Sequence, residues 1–448
     1  MTKPKLDLTT ALAILQQAEY DLAEFGRWWQ RRQSGQVSQD QVAPEKMTLK
    51  LSLVKLIANA LFFLPIPTRF QIAIGLIAPF QTLATKLYLT TSKIYLTILR
   101  KRGLVVVAIA GSYGKTSTKH WLSHLVGGQV SVLMTAKSIN TPLGIARTIL
   151  NQLKGDQRVF IVELGEYYRG DIEALAKWLE PDYGIITPIG HQHLERMKTI
   201  EEIAATIGEI LDYFEDQGKS EKAIAAAANQ TFFKKRVKYY GSDDQAEWRL
   251  NSAKVTLQGT SGVARKLQSD QEFKLFCPIY GRHQLENSLA AFWLGDQLSL
   301  NLDQIATRAT TMPAIPQRHQ PHFLGGDVLM LDNSYNTNPE VMKASLDLIN
   351  DIEASQRLVI TLGYVELGEA AKSEHFELGK MLAGKADRVC LIESEWTQEI
   401  IKGWQAAGGK KDRLSSASTP EACLELLKPH FQPGTVLLFE GGYREVLV

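Results

Sequence analysis

This 448-residue sequence contains little cysteine, and its three cysteines, Cys277, Cys390 and Cys423, lie far apart. No CxxC pair or paired spacing occurs, so neither a zinc site nor a disulfide framework is indicated, and a reducing cytosolic environment is the simplest interpretation. The first ten residues, MTKPKLDLTT, contain no apolar run before a small-residue cleavage site. We therefore expect no export signal.

Acidic residues are missing between Lys46 and Gly155. Residues 1–103 contain 14 Lys and Arg against 6 Asp and Glu, although the net charge of the whole chain is only +2. Such a basic region attracts anionic partners. It has neither interleaved exposed aromatic residues nor a known nucleic-acid-binding module, so we do not expect nucleic acid as a partner.

Two uncharged apolar runs lie in this basic region, at 56–68 and 70–85. We expect Pro65, Pro67 and Pro79 to divide them, which leaves neither with the roughly 18 to 20 apolar residues of a spanning helix. One interpretation is a buried helical hairpin. The other is an interfacial or re-entrant membrane anchor, which the flanking cations favour because they suit anionic lipid head groups. Those cations are Lys50, Lys55, Arg69, Lys86, Lys93 and residues 100–102.

The spacing of apolar residues predicts three regions. From Leu8 to Trp29 it is helical, so we predict a surface helix within a helical N-terminal region, residues 1–103. From Leu104 short apolar strands alternate with amphipathic helices, a pattern typical of a parallel α/β sheet. The proline-containing segment 312–323 is interpreted as a linker. It separates a central α/β domain, residues 104–313, from a second α/β domain, residues 314–448, which we predict to be Rossmann-like.

The strongest chemical signal is the segment VVVAIAGSYGKTSTKHWL, a buried strand followed by a glycine-bounded turn and a helix beginning near Lys115. Gly111 and Gly114 allow backbone N–H groups to turn toward phosphate oxygens at the positive end of the helix. Lys115 is suited to reach the β- and γ-phosphates and Thr116 to hold Mg²⁺. Ile109 stands where a full Walker A motif has its first glycine, so this is the shorter GxxGKT form.

This loop resembles the ATP loop of the Mur ligase family, and the order of the later motifs is most similar to its members that add D-alanyl-D-alanine. The resemblance covers residues 104–442. The other matching segments are SINTPLGIA (138–146), VELGEYYRGDI (162–172), HQHLERMKTIEEIA (191–204), GRHQLENSLAA (281–291), LDNSYNTNPEVM (331–342) and LGYVELGEAAKSEH (362–375).

The resemblance implies a site at which ATP and Mg²⁺ bind. Lys115, Glu163 and His193 would be catalytic, and the metal would be held by Thr116, Glu163 and His193. The implied substrate contacts are Asn140, Asn336 and Asn338. The implied ATP contacts are Gly111, Ser112, Tyr113, Gly114, Lys115, Thr116, Ser117, Asn287, Arg318 and Asp332.

Several positions depart from the family pattern. Where many members have a carbamylated lysine before Gly-Glu-Ile, this chain has Ile207. Glu209 follows two residues later and is rotated by about 200° on a helix, which makes it a poor substitute. The remaining departures are Gln284 and Asn333 for Asn and Asp, Tyr364 and Val365 for Asp-Met, and Phe439 to Gly442 for Lys-Gly-Ser. Nothing in residues 1–103 resembles the family's uridine-nucleotide-binding domain.

The resemblance therefore implies an ATP-dependent, ADP-forming amide ligase of peptidoglycan precursor synthesis, which acts through an acyl phosphate. The expected substrates are a UDP-MurNAc-peptide or a lipid-linked cell-wall precursor, and an amine such as D-alanyl-D-alanine. Two alternatives remain open: a ligase of the same type for another acid, such as a polyglutamate or folate-like substrate, and an ATP-binding pseudo-ligase without turnover. The expected location is the cytoplasm, with a possible peripheral position on the inner face of the membrane.

Overall fold

The structure is a computed structural model that describes residues 49–61, 64–190, 197, 199–234, 236–267, 269, 271–334, 337–364, 367 and 370–441, with Ala11, Leu12, Leu15 and Phe25. The chain divides into two compact units, Met1–Thr91 and Ser92–Val448. This division falls within a helix, whereas the sequence placed the end of the N-terminal region at residue 103.

The first unit is helical. Helices α1 (Leu49–Ala60) and α2 (Ile66–Arg100) contribute to it, and most of the helix predicted between Leu8 and Trp29 lies outside the described residues. A small core forms where α1 and α2 pack with the described N-terminal residues. Its members include Leu12, Leu15, Phe25, Val54, Ala58, Phe70, Ala73 and Ile77.

The prediction that Pro79 divides the second apolar run is wrong, because Pro79 lies inside α2, a continuous helix of 35 residues. One proline removes a single backbone hydrogen bond, and Gly75, four residues earlier, has open space beside it. The segment Thr68–Arg100 is long and apolar enough to cross a membrane, and only 11% of its most apolar window is buried. The prolines at 65 and 67 do mark the break between the two helices.

The second unit begins with a nine-stranded sheet in the order β2-β3-β1-β4-β5-β6-β7-β8-β9. Strands β1 to β7 run parallel, which confirms the α/β prediction, whereas β8 pairs antiparallel with both β7 and β9. The strands are Val105–Ala110, Val132–Met134, Val159–Glu163, Tyr183–Ile186, Ala223–Ala226, Lys238–Gly241, Trp248–Thr256, Gly259–Lys266 and Glu272–Cys277.

Helices cover both faces of the parallel part, which explains why strands such as VVVAIA are apolar throughout. Two hydrophobic clusters lie on the two sides of β1: one includes Val107, Ile109 and Trp121, and the other includes Val106, Ala108 and Phe160. The helices are α3 (Lys115–Val126), α4 (Pro142–Gln152), α5 (Asp171–Leu179), α6 (Ile200–Asp216), α7 (Gln230–Phe233), α8 (Arg282–Gln297) and α9 (Leu302–Arg308).

A six-stranded sheet follows, in the order β10-β11-β15-β12-β13-β14. It is parallel except for β10, which pairs antiparallel with β11 at one edge. The predicted linker is therefore part strand, because Gln320–Phe323 forms β10. The strands are Gln320–Phe323, Leu329–Asn333, Gln356–Thr361, Arg388–Ile392, Leu414–Ala417 and Thr435–Glu440; the helices are α10 (Pro339–Asp351), α11 (Ala371–Lys385), α12 (Thr397–Ala406) and α13 (Pro420–Leu427).

Candidate active site

The glycine-bounded turn lies between β1 and α3, at the carboxyl end of the parallel strands. Gly111 has a φ of 139°, and a Cβ there would lie 2.1 Å from the Thr187 hydroxyl, so only glycine fits. The N–H groups of Ser112 and Tyr113 donate to Pro188 O, at 3.1 and 3.0 Å. No described side chain caps the first turn of α3, so its N–H groups provide an anion-binding site.

Two ammonium groups and two carboxylates meet beside this turn. Lys115 Nζ lies 2.8 Å from Glu166 Oε1, and Lys119 Nζ lies 3.1 Å from Glu163 Oε2. The hydroxyl of Thr116 donates to the same Glu163 oxygen at 3.1 Å. The end of β3 and the first turns of α3 therefore bring together positive charge, carboxylate oxygens and a hydroxyl.

These charged groups are deeply buried. The Lys119 side chain is fully buried and that of Glu166 is only 3% exposed. Burial lowers the pKa of Lys119, and the Glu163 carboxylate opposes this shift. Burial raises the pKa of Glu166, against the effect of Lys115. Because water is largely excluded, charges at this site interact strongly.

Two predicted site residues lie beside the turn or beside the end of β3. A Cβ on Gly114 would lie 3.3 Å from Asn287 Oδ1, which places that amide of α8 beside the phosphate-binding turn. Asn140 precedes α4, and its carbonyl accepts a hydrogen bond from Gly165 N at 3.1 Å, directly after β3.

Residues of the last domain approach from the other side. Burial and the neighbouring Glu340 carboxylate raise the pKa of Tyr113, with Asn338 also close to its hydroxyl. Asn338 caps α10 by accepting from Val341 N at 2.9 Å. Burial lowers the pKa of His120 on α3, and Lys119 and Arg318 add to the effect. Residues of the last domain therefore lie close to the turn and to α3.

Comparison with known proteins agrees with this geometry. The Mur ligase middle domain matches residues 109–295, and the Mur ligase glutamate ligase domain matches residues 321–442. Together these matches cover nearly all of both sheets. The chain belongs to the Mur ligase family.

Among characterised Mur ligases, the UDP-N-acetylmuramoyl-tripeptide–D-alanyl-D-alanine ligase of Bacillus subtilis is 25% identical over 350 residues, which are 77% of this chain and 74% of that one. The enzyme of the same name from Synechocystis is 28% identical over 344 residues, 75% and 71% of the two chains. The crystal structure of the MurF ligase of Thermotoga maritima with ADP has a similar fold, with a TM-score of 0.70 at 24% identity over 80% of each chain.

Ile207, which stands where many family members have a lysine, belongs to the hydrophobic core. Its side chain is fully buried in the hydrophobic cluster that contains Ile203 and Ile210. Glu209 does not replace the family lysine, because its carboxylate accepts from Gly170 N at 2.8 Å and Glu173 N at 3.1 Å at the start of α5. Glu209 therefore stabilises a helix terminus.

Two other departures from the family pattern contact one another. Asn333 and Glu440 are register partners on β11 and β15, and Asn333 Nδ2 donates to both Glu440 oxygens, at 3.0 and 2.9 Å. Burial raises the pKa of Glu440 to about 7, and the hydrogen bond from Asn333 opposes the shift. The altered residues thus form a buried pair. Asp332, beside them, accepts from Ser334 N at 2.9 Å.

Two predicted site residues, His193 and Asn336, lie outside the described residues. Conversely, the sequence analysis missed Lys119 and Glu166. Lys119 follows Lys115 by four residues, which places both on one helix face. Glu166 follows Glu163 by three residues in the same strand-end segment. The spacing of these two residues from residues already identified could have predicted that they belong to the site.

Proposed function

We propose that this protein is an ATP-dependent, ADP-forming amide ligase of peptidoglycan precursor synthesis. It joins D-alanyl-D-alanine to the peptide of a UDP-MurNAc substrate through an acyl phosphate. The observation that carries the proposal is the convergence of Lys115, Thr116 and Glu163 on the glycine turn, in a chain whose two sheets both match Mur ligase domains.

The donors at the turn fit a hard cation. The Thr116 hydroxyl and the Glu163 carboxylate meet at 3.1 Å, and oxygen donors of this kind suit Mg²⁺. In this proposal Thr116, Glu163 and His193 hold the metal. Bound Mg²⁺ neutralises charge on the phosphates during phosphoryl transfer.

The chain's own residues supply the rest of the chemistry. Lys115 leaves Glu166 for the β- and γ-phosphates, and the N–H groups at the start of α3 bind phosphate oxygens. In this proposal Asn287 contacts the nucleotide, while Asn140, Asn336 and Asn338 position the acid and the amine. Arg318 and Asp332 complete the nucleotide contacts from the last domain.

The family matches do not cover residues 1–108, so the assignment of the acyl substrate rests on the relatives. The two relatives are named for UDP-N-acetylmuramoyl-tripeptide and D-alanyl-D-alanine, and we assign these substrates here. A lipid-linked acid is the specific alternative, since the chain has an apolar helix where the family has a nucleotide-binding domain.

A panel of acids tests the assignment. Phosphate release is measured with ATP, Mg²⁺ and D-alanyl-D-alanine, in the presence of UDP-MurNAc-tripeptide, a polyprenyl-linked muramyl peptide, or a folate or glutamate acid. We expect release only with a muramyl peptide. Release with the folate or glutamate acid alone identifies a different ligase, and no release with any acid supports a pseudo-ligase.

We also propose that the first unit holds the protein on an anionic membrane surface. Five of the exposed large apolar residues of α2, among them Phe80 with 74% exposure, lie on one side of the helix because they are spaced by three or four residues. They are Ile72, Leu76, Phe80, Leu83 and Leu87.

An adjacent face of α2 is also apolar but packs into the small core, through Phe70, Ala73 and Ile77. A helix with so wide an apolar surface does not suit water on its exposed part. The absence of acidic residues from Lys46 to Gly155 complements anionic lipid head groups. A bilayer surface satisfies both properties.

A further inference from the structure

One carboxylate at the site, that of Glu166, has a partner for only one of its two oxygens among the described residues. Glu166 Oε1 pairs with Lys115 Nζ at 2.8 Å, whereas Oε2 is buried without a hydrogen-bond partner among the described residues. The Glu166 side chain is 3% exposed, so bulk water does not easily satisfy that oxygen. Buried carboxylate oxygens without partners are unfavourable, and such a group calls for an explanation.

The same pattern elsewhere in the chain has a simpler origin. Glu247 also places one oxygen near a lysine, Lys238 at 3.0 Å, and its Oε2 also lacks a partner among the described residues. Its side chain is 14% exposed and Lys238 is 58% exposed, so solvent screens this pair. Glu166 and Lys115 are 3% and 11% exposed, so solvent screens this pair much less.

The pairing with Lys115 does not account for Glu166 once nucleotide binds. The proposed function, on which this step rests, moves Lys115 to the phosphates. Both Glu166 oxygens then lack a cation in a buried site that also contains Glu163, whose charge acts on Glu166. Lys119 pairs with Glu163 at 3.1 Å, so Glu166 is the carboxylate that then requires another positive charge.

We propose that Glu166 is a second carboxylate ligand of the divalent cation that enters with ATP, and that Lys115 occupies it until then. Glu163, three residues earlier, and Thr116, which donates to Glu163, provide the neighbouring oxygens. Lys115 and the cation exchange places on Glu166 when nucleotide binds.

The test measures metal binding in the full-length protein. Mn²⁺ replaces Mg²⁺, and free Mn²⁺ is counted by electron paramagnetic resonance in the presence of a non-hydrolysable ATP analogue. Glu166→Gln keeps the shape of the side chain and removes its charge, so we expect Mn²⁺ affinity to fall by about tenfold or more. Glu166→Asp keeps the charge on a shorter side chain, so its Mn²⁺ affinity should lie between those of the unmutated protein and Glu166→Gln.

A second readout separates metal ligation from simple pairing with Lys115. Without any divalent cation, Glu166→Gln should bind the analogue at least as tightly as the unmutated protein, because a competing anion has gone. Glu247→Gln is the matched control, and it should change neither affinity. Thermal unfolding of each variant verifies that it is folded.

Three results overturn the proposal. Equal Mn²⁺ affinity in Glu166→Gln and Glu247→Gln would make Glu166 only a counterion of Lys115. Weaker analogue binding by Glu166→Gln without metal would make it a nucleotide contact instead. If the unmutated protein binds neither the analogue nor Mn²⁺, the proposed function itself fails, and that result is distinct from the first two.

Discussion

Helices α2 and α8 both contain large apolar residues, but these residues have opposite surroundings. In α8, Leu285, Phe292 and Trp293 are fully buried between β-sheet and helices, beside the phosphate-binding turn. In α2, Leu76 and Phe80 are 58% and 74% exposed. Apolar sequence alone therefore does not specify a core. In α8 the partner is within the chain, whereas for the exposed side of α2 we propose a partner outside it, the membrane surface.

We propose that the chemistry belongs to the second unit and membrane contact to the first. Lys115→Ala should then produce the largest effect, because an ammonium group at the transferring phosphate commonly accelerates the reaction by about a hundredfold or more. We expect turnover to fall at least that far in a phosphate-release assay. Lys402→Ala, at an exposed position of α12, is the control, and unchanged turnover in Lys115→Ala would refute the assignment of the turn.

Membrane contact should depend on α2 to a smaller but clear extent. The double variant Phe80→Glu and Leu83→Glu removes two exposed apolar side chains, each contributing about 1.5 kcal/mol or more when buried. We expect its binding to anionic liposomes to fall at least about tenfold in co-sedimentation. Increased salt should weaken binding of the unmutated protein.

A matched substitution far from α2 provides the control. Phe323 on β10 is 70% exposed, close to the exposure of Phe80, so Phe323→Glu should leave sedimentation unchanged. Equal losses in both proteins would show that general surface polarity, and not α2, determines the binding.

Glu440, in the six-stranded sheet, should make the stability of the protein depend on pH. The pKa of Glu440 is raised to about 7 from an ordinary 4.5, so the folded state holds a proton that the unfolded state has lost between these values. The free energy of unfolding should therefore decrease as pH rises through that window. Glu440→Gln removes this contribution, and urea unfolding at several pH values should show a shallower dependence; an identical slope would disprove it.

The smallest expected effect concerns bicarbonate. Ile207 is fully buried and has no amine to carbamylate, so turnover should be unchanged when bicarbonate and dissolved carbon dioxide are removed. A strong bicarbonate requirement would show that another lysine is modified. Lys198, which lies outside the described residues, would be the first to replace.

Much of the fold was predictable where local patterns determine it. The strand, glycine turn and helix around Lys115 follow from buried apolar residues and positive φ at Gly111 and Gly114. The antiparallel strands β8 and β9 were not foreseen, although β9 alternates buried and exposed residues. The continuation of α2 through Pro79 was missed because the rule that proline ends a helix is local. It does not take into account the many other hydrogen bonds of a long helix.

The site was predictable only in part, because its pairings are distant in sequence. Lys115 and Thr116 were identified from the loop itself, but the Lys115–Glu166 contact joins residues 51 apart. Asn333 and Glu440, which are 107 residues apart, stood out as two separate departures. Only the sheet register shows that they form one pair.

The most direct test of the account measures nucleotide and amide products in one reaction. With ATP, UDP-MurNAc-tripeptide and D-alanyl-D-alanine, chromatography and mass spectrometry should find ADP and the new amide in equal amounts. Both should be absent when either substrate is omitted or Lys115 is replaced by alanine. Formation of AMP, or of ADP without any amide, would contradict the proposed acyl-phosphate ligase.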